Sequence, residues 1–518
     1  MDKLALMVID TRNIQKYVFA TNNLRQNAGA SYLVGCTTRE WVADMLPKPN
    51  NVIDITEGSY NNEKIEDGDI DAEVIYCGGG NAVIIFKNKS IANSFTRKYT
   101  SYIIQKAPGL DVTVVYKEFD WCNDSLSDML TFLQKEGAAK KLNRNFSTPM
   151  LGAGVTAECI FSGLPATHFD ESDGCFLSSQ AHSKYCIEKD EAWESLKGAF
   201  ETKGYTFARE FNDIASGIEG SSYIGIVHTD GNGMSKRIDA IRQRHTDPSG
   251  NRNFIKDMRE FSSSIQHAVK KSLQSTVDKL VAAINDNLIK GEIKITGNML
   301  PFRPIVFNGD DVTFVCHGSI ALSLAHNYLF SLQNQTLSDG KPFYGRAGIA
   351  IVKSHYPFAR AYDLAEGLCA SAKQFILDKK SANCPDISAM DWHFAVNGTV
   401  YNSINAIREK EYSIEGNKKL YMRPISVMDD DDWRTWNVFK NIVDEFKSDE
   451  WRDKRSKIIA LQRALRKGEN SVANFMALNG IKELPMIENY NTMSKNGWQG
   501  GRCGYFDAIE AMDFLIDL

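Results

Sequence analysis

Three aspartates and a few glycines and lysines around them carry the chemistry this sequence can perform. Asp230 closes the apolar run SYIGIVHTD, and Asp310 and Asp311 stand side by side in FNGDDVTF, between the runs RPIVF and VTFVC. Asn-Gly between β-branched runs predicts a tight hairpin, which accounts for Asn308 and Gly309. It does not account for the acids, because Asp is depleted in strands and adjacent anions raise one another's pKa unless a cation lies between them. If the strand ending at Asp230 neighbours the hairpin, three carboxylates converge on one sheet edge. Such a cluster calls for hard cations, and two Mg2+ or Mn2+ ions held by Asp230, Gly231, Asp310 and Asp311 would meet the need. That chemistry is nucleotidyl transfer: a hydroxyl is activated, a triphosphate is clamped and the leaving pyrophosphate is stabilised. Asp310 is read as the principal bridging ligand and Asp311 as its helper, since successive strand residues face opposite ways.

The residues nearby suit a triphosphate. Gly231, Asn232 and Gly233 precede a predicted helix, whose N-terminal N–H groups and dipole favour anions. Lys236, one turn further on, and Lys373, in a later helix, are candidate phosphate contacts, and Asn308 and Gly309 complete the expected nucleotide-binding set. Singly these features are ordinary: an Asp at a strand end caps turns, and a surface Lys is usually there for solvation. Their coincidence in one predicted fold is what favours a metal–nucleotide site.

The elements that must position these residues repeat. LALMVID, a helical stretch from IQKYVF to TTREWV, the hairpin EVIYC-GGG-NAVIIF, a helix near 90–106 and the strand DVTVVYKEF form one strand–helix–hairpin–helix–strand series. SYIGIVHTD, helices from GNGMSK and FIKDM, the NGDD hairpin, a helix near 319–333 and GRAGIAIV form the second. Each series reads βαββαβ, the order of a ferredoxin-like sheet. The fold class expected is therefore α+β, with two ferredoxin-like (βαββαβ) domains in tandem and a mostly helical C-terminal region. The expected limits are 1–150 for a degenerate first copy, 151–215 for a knuckle-like and helical linker, 216–400 for the catalytic copy and 401–518 for the helical remainder. Asp10 ends the first strand as Asp230 ends its counterpart, but the first hairpin carries Gly78 to Gly80 where the second carries acids. The acidic run Asp429 to Asp432 reads as helix capping and dipole compensation.

At these residues the sequence resembles a known family. HTDGNGMSK, NGDD and GRAGIAIVKSHYPFARAYDLAEGLCASAK resemble the palm of the large polymerase/cyclase subunit of type III CRISPR complexes (the Cas10/Cmr2-like palm family), distantly related to GGDEF diguanylate cyclases. IQKYVFATNNLRQNAGASYL and YCGGGNAVIIF resemble that family's degenerate first palm. The resemblance implies conversion of ATP or GTP into a cyclic or linear oligonucleotide messenger in antiviral defence. It also implies that nucleotides bind between the halves, with Gly78 to Asn81 near the acceptor, and that RNA or protein subunits are partners. By position it makes Asp230 and Asp310 metal ligands and Lys373 a phosphate contact. Asn308 departs from the first glycine of GGDD, and Asn232 stands where an acid is common. These departures leave open a degenerate palm scaffold that binds RNA or proteins.

Composition bounds the rest. A 518-residue chain with 43% hydrophobic residues buries ordinary cores, and a net charge of −5 does not favour a dedicated DNA-binding surface. No run of about eighteen apolar residues occurs, and an early acid interrupts the N-terminus, so a cytoplasmic location is expected. The ten scattered cysteines suit reduced thiols. CIFSGLPA resembles a zinc knuckle with Ser162 in place of a cysteine, and no HD dipeptide, phosphate-binding GxxxxGK[ST] loop, HExxH or GxSxG motif occurs.

Overall fold

The computed structural model describes residues 3–143, 152–216, 222–289, 293–381, 384, 386–395, 403–448, 451, 455–487 and 490–518. Among them, helices and mixed sheets alternate in an α+β arrangement. Two sheets dominate.

The first holds β1 (Leu4–Arg12), β2 (Ala72–Gly78), β3 (Asn81–Phe86) and β4 (Asp111–Phe119), in the order β2-β3-β1-β4. Every residue of β1 from Leu4 to Ile9 is buried, so both faces are covered and the strand reads as a continuous apolar run. Helix α1 (Leu24–Thr38), α2 (Lys89–Lys106) and α3 (Leu126–Leu142) connect and cover these strands. The single helical stretch expected before residue 43 is broken. Ile14–Val18 forms a short helix, and Asn23 then caps α1 by accepting from the Gln26 N–H. An Asn side chain that satisfies an orphan N–H starts a new helix more readily than it continues an old one.

The second sheet begins with β5 (Tyr223–Gly231), followed by α4 (Met234–Arg244) and the long α5 (Asn251–Asn285). It continues through β6 (Phe302–Val306), β7 (Val312–His317), α6 (Ala321–Gln333), β8 (Gly345–Lys353), α7 (Phe358–Ser381) and β9 (Ala389–Ala395). Its order is β6-β7-β5-β8-β9, and an edge strand, β10 (Ile425–Ser426), completes it. The first four strands repeat the order of the first sheet. Asp10 and Asp230 occupy equivalent ends: Asp10 pairs across to Thr113 on β4, and Asp230 to Arg346 on β8.

The C-terminal region differs from expectation. It carries helices such as α8 (Ile404–Glu411) and α9 (Trp436–Lys447), but it also supplies β10 and a small four-stranded sheet. Two strands of that sheet, Lys418–Lys419 and Arg502–Cys503, run parallel. The acidic run does not cap α9 either. Thr435 does so by accepting from the Val438 N–H, while Asp430 and Asp432 pair with Lys379 near the C-terminus of α7 at 2.5 and 3.6 Å.

A buried ion cluster ties the halves together. Glu73 on β2 is fully buried and accepts from Arg252 and Arg259, both on α5, at 2.5 and 2.8 Å. The paired guanidiniums and the Ile65 N–H hold its carboxyl below the usual range despite burial. Burial of one carboxylate between two arginines is tolerable only because each remaining lone pair is met.

The cysteines are all free thiols. Cys159 and Cys175 share a small apolar cluster with Leu177 and Tyr185, and among the described residues no third ligand joins them into a zinc set. No helix among them is long and apolar enough to cross a membrane.

Candidate active site

Asp230 sits at the end of β5, and β7 pairs antiparallel with β5 up to the Thr229–Val312 position, so the loop before β7 is delivered beside it. The carboxylates of Asp230, Asp310 and Asp311 each place an oxygen within 4.8 Å of the other two. Among the described residues no other group of three or more such ligands forms. Gly231 makes the approach possible: a Cβ there would meet the Asp310 Cβ at 3.1 Å and Phe343 at 2.9 Å. Its role is space beside the hairpin acid.

The turn carrying the acids is not the tight Asn-Gly hairpin expected. Five residues, 307–311, separate β6 from β7, and neither Asn308 nor Gly309 adopts a positive φ. The left-handed pair lies instead in the first sheet, where Gly79 and Gly80 (φ 59° and 79°) join β2 to β3. The two tips meet. The Gly79 N–H donates to the Asn308 carbonyl at 2.8 Å, and a Cβ on Gly309 would lie 3.2 Å from the Gly79 Cα. Gly309 is thus explained by contact between the halves and not by turn geometry.

Beside this contact lies a cavity of about 440 Å3, lined from both sheets by Asp10, Gly78, Gly79, Asn81, Gly309 and Asp310, with Ser262 and Gln266 of α5 as its roof. On the first-sheet side Asp10 is neutralised by Lys141. On the second-sheet side the acids are crowded. Burial, and then Asp311, push Asp310 up to about 6; burial, and then Glu366 on α7, push Asp311 up to about 6. Glu366 itself is raised by burial and by Asp363. Anions so gathered fit a hard divalent cation, because oxygen donors of this kind and count are what such an ion takes.

One cation is already present, and the sequence reading missed it. Arg346, in GRAGIAIV, is 6% exposed, forms an ion pair with Asp230, and donates to the Gly231 carbonyl at 3.0 Å and the Asn232 Oδ1 at 2.9 Å. The signal was available: an arginine inside a buried strand must find an anion, and its cross-strand neighbour is Asp230. Arg346 therefore competes for the Asp230 and Gly231 oxygens expected to face metal. Asn232 departs from expectation too. Its Nδ2 donates to the Ile387 carbonyl and its own N–H to the Tyr344 carbonyl, so it braces the strand end and keeps one amide hydrogen for another partner. Gly233, with φ 70°, precedes α4; Lys236 is exposed in the first turn of that helix. Lys373 is exposed on α7, seven residues and two turns beyond Glu366, on the stripe that passes the acids.

No family model matches the sequence, and no curated protein does. Solved structures do. A Csm1–Csm4 cassette in complex with cA4 matches at TM-score 0.53 and 11% identity, over 99% of this chain and 69% of that one. The chain has the Csm1 fold. The same cassette in complex with one ATP gives TM-score 0.54 and 11% identity over 99% and 70% of the two chains. Csm1 of T. onnurineus gives 0.52 and 12% over 99% and 70%. At such identities the likeness to Csm1 concerns the path of the backbone, and the residues of the site must be argued from their own chemistry.

Proposed function

We propose that this chain is a nucleotidyltransferase that joins nucleoside triphosphates into a cyclic or linear oligonucleotide messenger, as a Cas10-like subunit of a type III CRISPR-type defence. The observation that carries the reading is the convergence of Asp230, Asp310 and Asp311, the second of which lines a cavity walled from both halves. The matched cassettes hold ATP and cA4, which agrees with it. In this reading the two repeated strand orders are tandem ferredoxin-like palms, residues 1–150 and 216–400, of which the second is the active one.

Asp310 and Asp311, with Asp230, would hold Mg2+ or Mn2+, which when bound supplies charge neutralisation to the triphosphate and lowers the pKa of the attacking hydroxyl. The chain's own groups do the rest. The N-terminus of α4 and Lys236 face the phosphates, and Lys373 draws the outer ones along α7. Gly78 to Asn81, with no bulky side chain at the turn, leave room for a second nucleotide against the first. Ser262 and Gln266 offer it hydrogen bonds from one wall of the cleft.

The test is direct. Purified protein incubated with each triphosphate and Mn2+ or Mg2+, with and without candidate RNA, yields pyrophosphate and a new nucleotide species by mass spectrometry, and Asp310→Ala yields none. A specific observation favours a second reading: Arg346 occupies the oxygens of Asp230 and Gly231, as in a palm kept for scaffolding. Absence of product under all these conditions supports that reading.

A further inference from the structure

A second cavity lies away from the three aspartates, against another face of α7. About 850 Å3 in volume and half open to solvent, it is bordered by one face of α7, the end of β9, α8 and the small C-terminal sheet. That volume falls within the range of small-molecule sites, about 300–1,000 Å3. Its charged lining is unbalanced: Arg360, Arg408, Lys419, Arg434 and Arg502 face only Asp363 and Asp378. Arg408 is neutralised by Asp391. Among the described residues, no ion pair engages the other four cations.

Two of them are set against each other by the backbone. Lys419 and Arg502 are direct partners in a parallel pair, and the Lys419 N–H donates to the Gly501 carbonyl at 2.8 Å. Like charges directly opposite one another destabilise a sheet. The strain registers in the side chains. Arg502 first, then burial, lowers the Lys419 pKa, and burial followed by Arg502 brings Arg434 down to about 10. The guanidiniums are nonetheless held in place: Arg434 lies over the Phe375 ring at 4.4 Å and Arg502 over Tyr421 at 5.2 Å. Backbone carbonyls fix them further: Arg434 donates from Nε and Nη2 to the Met422 and Pro424 carbonyls at 2.6 and 2.8 Å, and Arg502 from Nη1 to the Tyr421 carbonyl at 3.3 Å, so each keeps Nη hydrogens for an anion on a guanidinium already held in place. The wall also includes His393, 6% exposed, whose Nδ1 has no hydrogen-bond partner among the described residues. A solvated basic face would splay its cations outward; here they line one concave cleft and leave a buried donor or acceptor unmet.

We propose that this cavity binds a compact polyphosphate group, as carried by a free nucleoside triphosphate or by the 5′-triphosphate end of an oligonucleotide, with Lys419, Arg434 and Arg502 as its principal contacts. Arg360, exposed at the mouth, guides the anion in. The site is separate from the acid cluster and does not depend on what that cluster catalyses.

Inorganic tripolyphosphate in EDTA is the probe, since without divalent ions the three aspartates repel it. Calorimetric titration gives saturable binding to the wild type, and the thermal midpoint rises with it. Lys419→Ala/Arg502→Ala weakens binding by about tenfold or more. The double variant gives up the Arg502–Tyr421 stack and the hydrogen bond to the Tyr421 carbonyl together with the repulsion, so an unchanged far-UV circular dichroism spectrum is the check that its fold persists. Arg360→Gln, on the surface, weakens binding several-fold without changing the melt, and Asp310→Asn binds as the wild type does. ATP and a 5′-triphosphorylated decamer RNA then separate the two sources: tighter binding of one identifies the natural carrier. No saturable binding, an unchanged affinity in the double variant, or equal binding of a 5′-hydroxyl RNA would overturn the proposal.

Discussion

Asp310→Asn is the sharpest probe of the acid cluster, because its effect on stability has a sign opposite to that of most substitutions. Asp310 is pushed from 3.8 to about 6 by burial and by Asp311. In the unfolded chain the carboxyl ionises near its ordinary value, so above pH 6 the fold bears a charge that it holds less well than water does. With about 1.4 kcal/mol per unit, the penalty reaches about 3 kcal/mol at pH 8. It is absent below about pH 4, where the carboxyl is protonated in both states, and it grows between pH 4 and 6. An amide of the same shape carries no such penalty. In EDTA the variant therefore melts several degrees above the wild type at pH 8, and the gap closes as the pH falls toward 4.5. Mn2+ then raises the wild-type melting temperature and leaves the variant nearly unmoved, while turnover is lost. Thermal melts across this pH range, with and without Mn2+, read both effects. A variant that melts well below the wild type at pH 8 in EDTA would refute the reasoning, since it would make Asp310 a structural anion.

Arg346→Met leaves Asp230 and Asn232 without their partner, so the metal-free protein loses about 3 kcal/mol; Mn2+ stabilises this variant more than the wild type, and an equal gain in melts would mean that the guanidinium does not compete with the ion. Glu73→Gln leaves Arg259 without an acidic partner at the join between β2 and α5, while Arg252 keeps Glu66, with an expected loss of about 3 kcal/mol in denaturant unfolding. Asn308→Gly keeps the carbonyl that accepts from Gly79, so stability and turnover change little; a large gain in rate would show that the asparagine impairs the hairpin. Because Asp310 and Asp311 both titrate near 6, Mn2+ affinity falls by about tenfold or more per pH unit below 6, measured by calorimetry, and the slope is shallower in Asp310→Asn.

Sequence carried the acids well, because their placement depends on short-range facts. Asp230 ends an apolar strand and Asp310 and Asp311 interrupt two others, so the repeated strand order was enough to bring them together. The repetition itself was visible in the paired runs LALMVID and SYIGIVHTD. What stayed hidden depended on contacts between distant segments. Asn-Gly looked like a primed turn, but Gly309 answers to Gly79 across the join, and the turn is five residues long. Arg346 looked like one more charge in GRAGIAIV until strand register set it opposite Asp230. Asp430 and Asp432 resembled a cap, yet their partner is Lys379, about fifty residues earlier. The C-terminal strands were too short, at two residues each, for any alternation to register.

The meeting of the two hairpin tips has a mechanical meaning. One main-chain link between residues 79 and 308 sits at the rim of the inter-sheet cavity, while the strong ionic join at Glu73 lies further along the same strand. Other contacts spread the join between them, among them Gln266 on the Cys77 carbonyl and Phe19 against Phe358 and Tyr362. The space between the acids and the glycine loop is therefore set by how the two halves pack, and under the proposed function any change in that packing would alter the room for a second nucleotide.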